Sequence, residues 1–340
     1  MSGNVLYNKE RTLIDLSILE LAIIREGGNA ALAIEQTVGA AREAENLGYK
    51  RIWLAEHHNM PHVASSATAV LIGHVAGKTG RIRVGSGGIM LPNHSPLIVA
   101  EQFGTLEALY PGRIDLGLGR APGTDQLTAQ AIRRENINAA FSFPADVRQL
   151  QKYFNNTDED AKVRAFPGEG ATVPVWILGS STDSAYLAAE MGLPYSFAAH
   201  FAPQQLSSAI DIYRKNFRPS AVLDQPKMMV CVNVIAADTD EEAHFLSTSL
   251  IRMFIGIVTN SRVPLMPPQE LPEIFYQHKE LKYMVENMLA HTFIGSKETL
   301  RKDLSVFIAD TGLNELMVTS YFYDMEAKLK SMRILKEALE

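Results

Sequence analysis

The chain has one cysteine in 340 residues, Cys231. A single thiol excludes an intrachain disulfide framework, and with it the small stapled folds of secreted domains. Cys231 sits in the apolar run MMVCVNVIAA, which predicts a buried, inert side chain. No run of about 18 apolar residues occurs, so no membrane span is expected. The opening MSGNVLYNKERTL lacks the apolar core of a secretory leader. Long basic runs are missing too. Lys and Arg total 32 against 38 Asp and Glu, a net charge of −6, which argues against nucleic acid as a partner. There is no HExxH zinc pair, no P-loop and no GxGxxG after a strand. Together these absences lead to the expectation of a cytoplasmic protein in a reducing compartment, binding neither membrane nor nucleic acid.

What is present is a repeating pattern. With 46% hydrophobic residues the chain can bury a large core. Strand-like apolar runs fall at 14–21, 51–55, 81–91, 113–119, 173–179, 195–199, 227–237 and 315–322, and helical patterns follow them. The first helical pattern shows the punctuation clearly, with Asn29 placed to cap it and Gly48 to end it. Strands alternating with helices imply a parallel sheet. Eight such units suggest a closed (β/α)8 TIM barrel, with an open doubly wound sheet as the alternative. No charge run or low-complexity linker divides the chain, so residues 1–340 read as one barrel domain. Two long insertions, 120–170 after the fourth strand and 238–290 after the seventh, read as cover over an active site.

In a barrel of this kind, chemistry sits where strands end and helices begin. Four junctions stand out. The first is AEHH, with Glu56, His57 and His58, followed by His62. A histidine there can serve as acid or base, or pack under the loop. Neighbours on an extended chain face opposite ways, so the three do not readily converge on a metal ion. The second is VGSGGIMLPNH, where Gly85, Gly87 and Gly88 leave main chain bare for a planar group, or mark a bulge. The third is GLGRAPGTD, whose Arg120 offers a guanidinium fork to a phosphate, or forms a structural ion pair. The fourth is WILGSSTDSAYLAAEMG. Its turn at Gly179, Ser180 and Ser181 precedes a helix, and free N–H groups there attract anions. Ser184 lies one turn on, and a serine in such a turn is equally suited to capping. Two phosphate-type signals and a bare glycine strand point to a phosphorylated planar cofactor such as flavin mononucleotide, though a sugar phosphate would fit the same signals.

AEHHNMPHVASSA, VGSGGIMLPNHSPLIVAEQFGTLEALYPGRIDLGLGRAPGTD and VWILGSSTDSAYLAAEMGLPYSFAAHF resemble the bacterial luciferase-like flavin monooxygenases. The likeness covers most of the chain. It implies a (β/α)8 barrel, reduced FMN as cosubstrate, and O2 oxidising a small organic substrate through a peroxyflavin. By the same resemblance His57 is the acid–base residue, and Arg120 holds the flavin phosphate with Ser180, Ser181 and Ser184. Gly87 and Gly88 match a pair joined by a cis peptide beside the ring, and Ile89, Leu178 and Gly179 complete the expected cofactor contacts. No metal is implied. A separate NAD(P)H:flavin reductase and a homodimer are expected. Family members that use a 5-deazaflavin for hydride transfer supply one alternative, and a flavin-binding protein without turnover another. Two positions depart from the pattern: Gly119 stands where the light-emitting enzyme has a reactive cysteine, and Ile23 stands where a proline is expected.

Overall fold

The computed structural model describes residues 14–133 and 139–340. The opening stretch read above for a leader lies outside them, as do residues 134–138 of the first insertion. The strands are β1 (Asp15–Glu20), β2 (Arg51–Leu54), β3 (Arg83–Met90), β4 (Ile114–Gly119), β5 (Val175–Gly179), β6 (Tyr195–Ala198), β7 (Met228–Ala236), β8 (Thr292–Gly295) and β9 (Glu315–Thr319). All named pairings are parallel. Strands β1 to β7 follow one another around a ring that β9 closes by pairing with both β7 and β1. This is a closed (β/α)8 barrel.

The helices are α1 (Ala30–Asn46), α2 (Thr68–Ala76), α3 (Pro96–Leu109), α4 (Gln126–Arg133), α5 (Ala139–Phe154), α6 (Thr182–Met191), α7 (Leu206–Asn216), α8 (Asp240–Val258), α9 (Glu273–Gln277), α10 (Lys279–Met288), α11 (Lys297–Thr311) and α12 (Met325–Leu339). Their ends follow local chemistry. The side chains of Asn29, Thr239, Ser296 and Asp324 each accept an amide of the first turn. Gly192 and Gly312 close α6 and α11 in the left-handed region, at φ of 61° and 56°. Among the described residues, no helix is long and apolar enough to cross a membrane.

Alternation along the strands sorts side chains into two cores. Ile52 and Leu54, Ile114, Leu116 and Leu118, and Leu316 and Val318 face outward into the layer shared with the helices. Leu19, Trp53, Trp176, Met229, Cys231 and Met317 face inward and fill the barrel. Cys231 is buried there, and burial pushes its thiol well up, as the apolar run around it predicts.

Beneath this apolar plug lies a charged floor. Arg51, 3% exposed, bonds Asp115 at 2.6 Å and Glu315 at 2.7 Å. Trp53 Nε1–H donates to Asp115 at 3.2 Å, and the guanidinium lies 5.0 Å from the Trp176 ring centre. Three ionised groups are tolerated here because each satisfies another. The floor seals the N-terminal end of the barrel and leaves the C-terminal end for chemistry.

Two features differ from the sequence reading. A ninth strand, β8, sits outside the ring. β7 is long enough to pair with β9 through Met229–Asn233 and then with β8 through Asn233–Ala236. The four residues of β8 are too few to show an alternation in the sequence. The segment 120–170 is also only partly cover. Phe143, Val147, Leu150 and Phe154 of α5 belong to the outer core, so α5 is the outer helix that follows β4.

Candidate active site

The ends of the barrel strands converge on one cavity of about 360 Å³ at the C-terminal mouth. His57, Gly87, Gly88, Arg120, Leu178, Gly179, Ser180, Ser181 and Ser184 all line it. Because β3 lies between β2 and β4 in the ring, the glycines separate His57 on one side from Arg120 and the β5–α6 turn on the other.

The glycine wall is bare for reasons of space. A Cβ on Gly88 would stand 2.7 Å from the Gly117 carbonyl oxygen and 3.2 Å from Leu178. One on Gly87 would meet Leu19 at 2.6 Å. The Gly87–Gly88 peptide is cis, and the register between β3 and β4 shifts beside it. The shift turns Ile89 outward. Its side chain packs in the outer core, and Ile89 does not line the cavity.

At the anion end, Ser181 is the N-cap residue of α6, yet its side chain caps no amide. Gln205 Oε1 accepts from Thr182 N–H at 3.0 Å, so an anion here would meet the Ser181 hydroxyl and the positive end of the helix dipole, with that first amide already engaged. Arg120 reaches the same place and pairs at 3.1 Å with Asp183 in the first turn of α6. Both side chains of that pair are largely exposed, so it adds little stability and is easily exchanged for another anion. Ser184 differs from the sequence expectation. Its hydroxyl donates to the Ser181 carbonyl at 2.7 Å and lies 2.9 Å from the Tyr195 hydroxyl. It shapes the turn, having spent its hydrogen inside the protein.

On the other side, AEHH resolves by alternation. Glu56, 1% exposed, turns inward under the loop. It accepts from Met90 N–H at 3.1 Å, and His94 Nε2 lies 2.9 and 3.0 Å from its two oxygens. His58 Nε2 is 2.8 Å away. Burial by itself would raise the Glu56 carboxyl, but the bonds from His94, His58 and Met90 outweigh it and hold the group below the usual carboxylate range. His57 turns the opposite way, into the cavity. Its Nδ1 lies 3.3 Å from the Gly123 carbonyl. A carbonyl can only accept, so the proton sits on Nδ1 and Nε2 keeps its lone pair. Burial is the main cause that lowers the His57 pKa, so the ring is neutral at neutral pH. Among the described residues, no group of three or more metal-ligating side chains is assembled.

Three further polar residues line the cavity. His200 follows β6, its Nδ1 buried without a partner, and burial lowers its pKa to about 4. His62 and Arg262 stand at the mouth beside Ile23, Met60 and Met253. The strand-end rule would have found His200, which ends YSFAAH. Arg262 lies in the second insertion and carries no local signal.

Residues 16–313 match the family model described as luciferase-like monooxygenase. The chain is 50% identical to the uncharacterised Bacillus subtilis protein YvbT, over 97% of this chain and 98% of that one. It is 47% identical to a luciferase-like monooxygenase of Escherichia coli, over 96% and 97%. An N-acetyl-S-alkylcysteine monooxygenase of Bacillus subtilis is 32% identical, over 96% and 98%. Among solved structures, apo-MsnO8 superposes with a TM-score of 0.86 at 33% identity, covering 96% of this chain and 98% of that one. Two more distant structures share the fold. One is the FMN-bound oxygenating component of a 3,6-diketocamphane monooxygenase of Pseudomonas putida, with a TM-score of 0.71 at 18% identity and coverage of 95% and 97%. The other is an F420-dependent secondary alcohol dehydrogenase, with a TM-score of 0.66 at 16% identity and coverage of 96% and 99%. The chain belongs to the luciferase-like monooxygenase family.

Proposed function

We propose that the cofactor is FMN, taken up in its reduced form from a separate NAD(P)H:flavin reductase and used with O2 to oxidise a small organic substrate. One observation carries the reading. A bare glycine wall at Gly87–Gly88 has an anion end on one side and a neutral histidine on the other, all in a single cavity. When bound, reduced FMN supplies the oxygen-activating chemistry. Arg120 and residues 179–181 bind the phosphate. Gly87, Gly88 and Leu178 let a flat ring lie against main chain. His57 Nε2 takes a proton from the reacting centre and returns it. Met253, Phe254 and Ile257, from α8, roof the cavity and exclude water. The enzyme is further read as a cytoplasmic homodimer, which sizing in solution would check.

The test is an anaerobic titration of the apoprotein with oxidised and photoreduced FMN, followed by admission of air. Tight uptake of the reduced form, with a transient absorbance before oxidised FMN accumulates, supports the reading. Failure to bind either form sinks it, and uptake of the deazaflavin F420 in place of FMN would turn the reading to hydride transfer. The relative named for N-acetyl-S-alkylcysteine gives the first compound to try as substrate.

A further inference from the structure

We propose that Arg262 and His62 form a carboxylate-binding site at the cavity mouth, and that the substrate is therefore an apolar organic acid. The inference rests on the monooxygenase reading for its place next to the flavin, but its residues are distinct from those given to the cofactor.

The cavity is electrostatically one-sided. No aspartate or glutamate lines it among the described residues, while an arginine stands in each of two parts of its wall. Arg120 has Asp183 as a partner. Arg262 has no ion pair with any described residue. It is solvent-exposed on one side and lines the cavity on the other. A guanidinium placed over an apolar pocket with no countercharge presents a planar fork suited to a carboxylate. Its positive field reaches His57 and His62, adding to the larger effect of burial in lowering both pKa values.

His62 provides the second, independent observation. It is 7% exposed, and its Nδ1 has no partner. A buried polar atom without a protein partner is uncommon in folded proteins, and on a cavity wall it is available to a ligand atom. The backbone fixes both residues in place. Ile24 N–H donates to the His62 carbonyl at 2.8 Å, and Leu265 N–H donates to the Ile24 carbonyl at 3.2 Å. The chain after β1 is thus stitched to the His62 loop on one side and to the Arg262 segment on the other. Bridges Ile23–Val63 and Arg25–Leu265 continue the same seam. Ile23, where the family pattern leads one to expect proline, is one of the seam residues and faces the cavity. Around the two polar groups stand Met60, Val63, Met253 and Ile257, which suit an apolar body behind the acid group.

The experiment measures binding by calorimetry, with and without FMN. The probes are butanoate, hexanoate, octanoate and decanoate and their matching primary amides. At least one acid should bind roughly tenfold more tightly than its amide, as expected for a charge-assisted pair. Arg262→Gln should abolish that preference, Arg262→Lys should restore part of it, and Arg120→Ala should leave it intact. His62→Leu should weaken acid binding several-fold and spare the amides. The proposal is overturned if no acid is preferred over its amide, or if the preference survives Arg262→Gln. A preference that disappears in Arg120→Ala overturns it too, by placing the acid at the phosphate end. FMN affinity is read in the same samples. Preference without binding of either oxidised or photoreduced FMN leaves the carboxylate site standing and removes the flavin assignment; FMN binding without preference does the reverse.

Discussion

Replacing Glu56 by glutamine tests whether the loop that carries His57 is held by a charge. The carboxylate is 1% exposed and receives Met90 N–H and the rings of His94 and His58. Glutamine keeps the shape but has one acceptor oxygen, and its amide nitrogen can only donate. Two surviving bonds lose charge assistance, at about 1 kcal/mol each, and one buried donor loses its acceptor, at about 1–3 kcal/mol. His58 is partly exposed and can turn to water, which trims the sum to about 2–4 kcal/mol. The sign with pH follows from the lowered carboxyl of Glu56 in the folded state. A depressed acid stabilises the fold fully above the ordinary carboxylate value, and that stabilisation is lost as pH falls through the folded value. Urea unfolding of the two proteins should therefore differ by about 2–4 kcal/mol at pH 7, and the gap should narrow in acid. Equal midpoints at neutral pH would refute the reasoning. So would a gap that stays constant into acid, since the cause would then be shape and not charge.

Three other outcomes are expected. His57→Ala should bind FMN as the wild type does and lose roughly 10²–10⁴-fold in turnover; equal turnover in a stopped-flow assay removes the proton-transfer role. Arg120→Ala should weaken FMN binding about tenfold or more, and Asp183→Asn should strengthen it a few-fold by removing a competitor; unchanged affinities in both would put the phosphate elsewhere. His200 is held near pKa 4 by burial, against an ordinary value near 6.5, so the unfolded chain takes up its proton first as pH falls. Wild-type stability should drop by up to about 3 kcal/mol between those values, and His200→Gln should flatten that limb; an identical pH profile in the variant would contradict it.

The sequence carried the barrel because its signals are local. Apolar alternation in RIDLGLG, the caps at Asn29 and Asp324, and the glycines ending α6 and α11 each act within a few residues. The four junctions also read correctly as neighbours, because barrel closure forces every strand end to one mouth. Ile89 and Ser184 read less well. Which way Ile89 points depends on the register shift against β4, and the Ser184 hydroxyl is held in the turn by the Ser181 carbonyl and by the Tyr195 hydroxyl on β6.

The amino-acid sequence by itself thus determined the order of the eight barrel strands, the parallel barrel, and the residue types waiting at each strand end. Only the tertiary structure decided which of them act together. Glu56 became the anchor of its loop through His94, 38 positions on. His57 was left its cavity-facing nitrogen by Gly123, 66 positions on. Arg262 joined His62 at the mouth through a seam from the end of β1. The physical reason is range. Propensity, capping and alternation act over a few residues, whereas a hydrogen bond, an orphaned nitrogen or an uncompensated charge is defined by groups that meet only when the ring closes.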